Sequence, residues 1–247
     1  ELFKYRKKPA ELRKKVLSIR PYASKVYAND LTVQCILELS KESFFDELAM
    51  HLGHDPVQFR LALFEQAKSN PVGGKHNYEV DKFVGVIKLA AEKSGWGNSP
   101  DDVYQGFSSY YSHNTYVAEV ADVKIEDGVP VIKKITCVVD CGIVINPDAA
   151  LNQVEGGIID GIGHAMYGDF EFENGRAKPS NFNNYRLIRM PEAPEIDVHF
   201  IESDNDPTGL GEPTLPPAGG AIANAFAAAS GKRFYKQPFI KYDEVMG

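Results

Sequence analysis

Three cysteines in 247 residues are too few for a disulfide scaffold. The two that lie near each other, Cys137 and Cys141 in CVVDC, lack the two-residue spacing and the second pair that a zinc or iron–sulfur site wants. They read as small strand and turn residues. No apolar run approaches the roughly 18 residues that cross a bilayer, so the sequence holds no transmembrane segment. Positive charge is also short: the formal net charge of -7 argues against a general nucleic-acid binder. The first thirty residues are the exception, with Lys4, Arg6, Lys7, Lys8, Arg13, Lys14, Lys15, Arg20 and Lys25 forming either a solvated surface or a face for an acidic partner. The chain opens on Glu1 instead of Met, which reads as a processed or excised piece.

What remains is ordinary for a globular chain with a sizeable core: 43% hydrophobic and 25% charged residues. From Glu42 to Gln66, apolar residues recur at helical spacing on both sides of HLGHDP. The histidines there are not ligands. Gly53 fits a helix C-cap, and Asp55 and Pro56 fit the N-cap and first position of the next helix. A third helix is predicted from about Asp81 to Ser94, ended by GWG. The segment TYVAEVADVKIEDGVPVIKKITCVVDCG then alternates apolar and polar residues on both sides of Asp127-Gly128, which predicts an antiparallel hairpin. Asn146 caps and Pro147 opens the following helix; DFEFENGRA predicts a strand pair turning at Asn174-Gly175, and EIDVHFIES a single strand. These elements predict an α+β fold with mixed, mainly antiparallel sheets and packed helices, mainly helical over 1–98 and mixed over 99–247. The pattern of residues 1–40 supports no assignment.

Two features ask for a chemical explanation. The helix after Pro147 carries Gly156, Gly157, Gly161 and Gly163, each costing up to about 1 kcal/mol of helix stability relative to Ala, so something packs closely on its backbone. A neighbouring element or a bound ligand would serve equally. The glycines do not make a dinucleotide GxGxxG, because the spacing is wrong and they lie inside the helix. The second feature is GLGEPTLPP, where Glu212 sits between Gly211 and Pro213 just before a predicted helix running from Pro216 to about Ser230, with Gly231 as its left-handed end. A lone loop glutamate is usually just solvated. Here a stiff backbone places the carboxylate beside a helix N-terminus with free N–H groups.

Taken together, ESFFDELAMHLGHDPVQFRLAL, YVAEVADV, VVDCGIVINPDAALNQVEGGIIDGIGHAMYG, NGRAKPSNFNNYRLIRMPEAPEIDVHFI and GLGEPTLPPAGGAIANAFAAASGKR resemble the molybdopterin-binding large (beta) subunits of the xanthine oxidase family of molybdenum hydroxylases, isoquinoline 1-oxidoreductase type. The resemblance covers roughly residues 42–240, in the family's order. It implies the second molybdopterin-binding domain of such a subunit, with Glu212 as the general base. The implied reaction is oxidative hydroxylation of an electron-poor carbon in an N-heterocycle or an aldehyde, with oxygen taken from water. Gln153 matches the family glutamine that hydrogen-bonds the pterin, Gly156 and Gly157 beside it match close-approach positions, and Gly211 of the Gly-Glu motif is a further expected cofactor-binding residue; no side chain is expected to ligate the metal. Asp140 to Gly142 fit either a cofactor-facing turn or a purely structural one.

The resemblance further implies molybdopterin with molybdenum, in the cytosine dinucleotide form usual in bacterial members, and [2Fe-2S] clusters on a small partner subunit. Family members are much longer, so the expected partners are the missing N-terminal half of the large subunit, the iron–sulfur subunit and a small-molecule substrate, with this piece inactive alone. The rival expectation is a non-catalytic scaffold or assembly protein that keeps the fold.

Overall fold

The computed structural model describes residues 31–71 and 78–241, with side chains from Gln34 onward. The basic N-terminal segment lies outside the described residues. Three helices come first: α1 (Leu31–His51), α2 (Pro56–Ser69) and α3 (Val80–Lys93). The α1–α2 break follows local rules. Gly53 takes a left-handed φ of 73°, and the Asp55 side chain accepts a hydrogen bond from the Gln58 amide at 2.8 Å, with Pro56 in the first turn. The other Asp55 oxygen accepts from the Trp96 indole at 2.7 Å, which ties the segment after α3 to the start of α2.

A four-stranded sheet follows, built from β1 (Tyr104–Ser112), β2 (Thr115–Glu126), β3 (Val129–Asp140) and β6 (Glu195–Phe200), in the order β1-β2-β3-β6. The first three strands are antiparallel and β6 joins β3 in parallel, so the sheet is mixed but mainly antiparallel, as expected. Asp127 and Gly128, at φ 52° and 82°, make the β2–β3 turn. A small antiparallel pair, β4 (Phe172–Glu173) and β5 (Arg176–Ala177), turns at Asn174-Gly175. The two remaining helices are α4 (Pro147–Tyr167), capped by Asn146, and α5 (Pro216–Ser230), ended by left-handed Gly231. The strand β1 and its turn to β2 were not anticipated from the sequence.

Strand alternation sends side chains to both faces of the sheet. Val117, Ala121, Ile135, Cys137 and Val139 face Val154, Ile158 and Ile162 of α4 and Ile222 and Phe226 of α5; Leu39 of α1 joins them. Tyr116, Ala118, Val120 and Val138 face Val57 of α2 and Phe83, Val86 and Ile87 of α3. The helical segment and the sheet therefore share cores. Helix α5 is buried from Pro216 to Ala227, and each large side chain in it stabilises by roughly 1.5–3 kcal/mol through apolar burial. Its small residues bring it against strand backbone: a Cβ on Gly106 of β1 would lie 2.0 Å from the Ala225 nitrogen. Through this contact the sheet fixes where α5 begins, and so where Glu212 stands.

Candidate active site

The loop from Asp204 to Leu215 is strapped down at several points. The Thr208 amide donates to the Cys141 carbonyl at 2.9 Å, and the Ile143 amide donates to the Asn205 carbonyl at 3.0 Å. Gly142 has a φ of 73°, and a Cβ there would lie 2.2 Å from the Asp206 carbonyl oxygen. The Asp140–Gly142 turn thus anchors this loop and does not line the cleft described below. On the other side, the Thr115 hydroxyl donates to the Gly209 carbonyl and accepts from the Thr208 hydroxyl at 2.6 Å, while the Gly209 amide donates to the His113 carbonyl at 3.2 Å.

Gly211 then takes φ 103° and ψ -73°, a conformation closed to residues with a Cβ, and this turns the chain into a 3-10 turn over Glu212–Thr214. The Thr214 hydroxyl, fully buried, donates to the Gly211 carbonyl at 2.7 Å and lies 3.3 Å from the Val154 carbonyl. The glycine-rich face of α4 explains itself against this loop. A Cβ on Gly157 would lie 2.2 Å from Thr214 Oγ1 and 2.4 Å from the Gly211 carbonyl oxygen; one on Gly161 would lie 2.4 Å from the Leu215 carbonyl oxygen. At those two positions the close neighbour is the chain itself. Gly156 differs, since nothing lies within 4 Å of a Cβ built there.

Between α4, this loop and the β1–β2 turn lies a cleft of about 510 Å³, lined among others by His113, Asn152, Gln153, Gly156, Asp160 and Glu212. That volume suits a small ligand or part of a larger one. It gathers all five residues singled out in the sequence: Glu212, Gln153, Gly156, Gly157 and Gly211. Gln153 and Gly211 touch, because a Cβ on Gly211 would lie 2.8 Å from Gln153 Oε1. The Glu212 side chain is 63% exposed, so backbone and neighbours hold it, not burial. Its Oε2 lies 3.5 Å from His113 Nε2. His113 escaped the sequence reading, and only its place in a tight turn, YSHNTY, could have drawn attention to it. No group of three or more His, Cys, Asp or Glu among the described residues could hold a metal ion, and none of their helices is long and apolar enough to cross a membrane.

Residues 6–194 match the family described as molybdopterin cofactor-binding domain. The chain belongs to that family. Molybdopterin-binding relatives of the xanthine oxidase group share long stretches of it. Isoquinoline 1-oxidoreductase subunit beta of Brevundimonas diminuta is 31% identical over 208 residues, which is 82% of this chain and 25% of that protein. A protein named membrane-bound aldehyde dehydrogenase [pyrroloquinoline-quinone], from Gluconacetobacter polyoxogenes, is 33% identical over 220 residues, 83% of this chain and 28% of its own length. The chain thus spans about a quarter of the curated relatives it matches. In fold it resembles the aldehyde oxidoreductase of Desulfovibrio gigas, with a TM-score of 0.62 at 15% identity, over 83% of this chain and 40% of that one.

The lining of this molybdopterin-binding domain fits part of the cofactor. The Gln153 amide is exposed in the cleft and makes no hydrogen bond to another described residue, so its donor and acceptor are free for a heterocycle edge. The open backbone at Gly156 permits close approach. The lining includes neither Lys nor Arg, and Asp160 and Glu212 add carboxylates. The cleft therefore suits the uncharged pterin edge and offers no cation to its phosphates.

Proposed function

We propose that this domain forms one wall of a molybdenum hydroxylase active site, in which an electron-poor carbon of an N-heterocycle or aldehyde is hydroxylated with water-derived oxygen. The observation that carries the reading is the convergence of Gln153, on α4, and Glu212, in the loop before α5, on one cleft. Their separation is fixed by the packing of Gly211 on the Gln153 side chain and of Gly157 on Thr214.

In this reading Gln153 holds the pterin through its side-chain amide, and the backbone at Gly156 lets the ring approach. Glu212 is the general base: one of its Oε atoms accepts the proton that must leave the attacking oxygen as it bonds to carbon. Proton transfer needs a carboxylate within hydrogen-bond reach and held in place, which the constrained Gly211 and Pro213 on either side of Glu212 provide. When bound, the molybdenum cofactor supplies Lewis acidity and the electron sink. The cytosine dinucleotide form, [2Fe-2S] clusters on a small partner subunit, and an upstream half of the large subunit that binds the phosphates and selects the substrate belong to the same proposal.

The test is Glu212→Gln in the molybdenum-loaded enzyme, assayed with isoquinoline and with an aldehyde. Turnover is expected to fall by at least about a hundredfold with molybdenum content unchanged. Undiminished turnover would rule out the assignment.

A further inference from the structure

His113 occupies the two-residue turn between β1 and β2, where it and Asn114 both take left-handed backbone angles, φ 53° and 62°. Such angles are uncommon for residues with a Cβ, although Asn and His adopt them more readily than most, and the surroundings help to hold the turn. The surroundings are visible: Ser112 pairs with Thr115 across the turn, and the His113 carbonyl accepts from the Gly209 amide at 3.2 Å. The fit is close, since a Cβ on Gly209 would lie 2.6 Å from the His113 Cβ.

The half-exposed ring has a partner of its own. Ser112 Oγ lies 2.8 Å from Nδ1, which leaves Nε2 directed at Glu212 Oε2, 3.5 Å away. When the Ser112 hydroxyl donates to Nδ1, the ring proton sits on Nε2 and faces the carboxylate. Among the described residues no Lys or Arg comes within ion-pair distance of Glu212. A glutamate that is largely exposed otherwise samples many rotamers.

We propose that His113 is a positioning residue for Glu212: its Nε2, oriented by Ser112, holds the carboxylate toward the cleft they both line. The inference rests on reading Glu212 as the base. It assigns the Ser112–His113 turn a part in the chemistry although neither side chain needs to touch substrate. A displaced base loses rate more than binding, so the signature is a fall in kcat with little change in KM.

The test compares His113→Leu with His113→Gln in the molybdenum-loaded enzyme, assayed with isoquinoline and an aldehyde. Both substitutions keep the Cβ and backbone carbonyl that meet Gly209, but only Gln keeps a nitrogen donor in reach of Glu212. His113→Leu is expected to lower kcat about tenfold with KM within about threefold and molybdenum content intact, and His113→Gln to restore most of the loss. Independently of turnover, the carboxyl carbon resonance of Glu212 in the isotopically labelled chain, assigned by its disappearance in Glu212→Gln, should move in the Leu variant and stay near its place in the Gln variant. If His113→Leu does not fold, Ser112→Ala, which frees the ring, should give a smaller loss of kcat in the same direction. Equal behaviour of the Leu and Gln variants, or an unmoved Glu212 resonance, would overturn the proposal. A fully active Glu212→Gln enzyme would instead remove the reading of Glu212 beneath it.

Discussion

Gly157 of α4 and Gly211 of the Glu212 loop meet backbone to backbone, with room for no side chain between them: a Cβ on Gly157 would lie 2.4 Å from the Gly211 carbonyl oxygen and 2.2 Å from Thr214 Oγ1. One turn face of α4 is thereby the ruler against which the loop is set. Gly157→Ala should cost about 1–3 kcal/mol in urea unfolding, because neither the carbonyl nor the buried Thr214 can yield cheaply. Its neighbour gives the control. Gly156→Ala meets nothing within 4 Å and should stabilise the helix by up to about 1 kcal/mol, while its methyl intrudes on the cleft. Two variants of equal stability would show that the loop is not packed on α4 in this way.

Gln153 separates cofactor binding from folding. It is exposed in the cleft, so Gln153→Glu, which keeps the shape and replaces the amide donor by a carboxylate oxygen, should leave the unfolding free energy within about 0.5 kcal/mol. Molybdenum bound to the purified enzyme, read by elemental mass spectrometry, should fall severalfold. A full complement of metal in that variant would take Gln153 out of the binding site.

Punctuation in the sequence was legible wherever it is local. Asp55-Pro56, Asn146-Pro147, Asp127-Gly128 and Asn174-Gly175 each act within a few residues, and each stands where the spacing put it. The five candidate residues that line the cleft were singled out through resemblance, and Glu212 also through its glycine and proline frame. What escaped was whatever depends on distant pairing or on a turn without glycine. The His113-Asn114 turn carries two positive φ values without a glycine, so YSHNTY lacks the Asn-Gly or Asp-Gly pair that marks a hairpin most clearly. The approach of His113 to Glu212 joins segments held together by Thr115 and Thr208, 93 residues apart. The burial of Glu119 within an alternating strand was equally hidden, because alternation alone assigns a face and not the depth of its cover.

A buried ion pair locks α1, α2 and β1 together. Arg60 Nε donates to Glu42 Oε2 at 3.0 Å, its two terminal nitrogens reach the carbonyls of Pro56 and Glu42, and the Ser109 amide donates to the same Glu42 oxygen at 3.2 Å. Both side chains are almost fully buried. Removing Arg60 leaves the buried Glu42 carboxylate with Lys41, 3.6 Å from its other oxygen, as its remaining cation, so Arg60→Met should destabilise by about 3 kcal/mol in urea unfolding. Arg60→Lys should recover little, since a point charge cannot serve the Glu42 carboxylate and two carbonyls at once. A loss below about 1 kcal/mol in both would mean that water reaches the pair.

Glu38 and Glu119 contribute a pH dependence that runs opposite to the usual one. Burial pushes Glu38 up to about 8, against the pull of Lys41 and with the push of Glu42. Glu119, wholly buried on the α4/α5 side of the sheet with, among the described residues, only the Cys137 thiol donating to it at 3.8 Å, is raised well above 4.5 by burial. In each case the folded protein keeps a proton that the unfolded chain releases. Stability is then fully present below the unfolded value near 4.5 and declines as pH rises, through about 8 for Glu38, by up to about 1.4 kcal/mol per pH unit for each group. Denaturant midpoints should fall between pH 5 and 8, and Glu38→Gln, which keeps the shape without the charge, should flatten the decline. Glu119→Gln should do the same at the sheet, and the double variant should flatten the decline further than either alone, leaving the part set by Asp46 and Asp122, which burial also raises. Midpoints that rise with pH across this window would show that both carboxyls ionise in the folded protein.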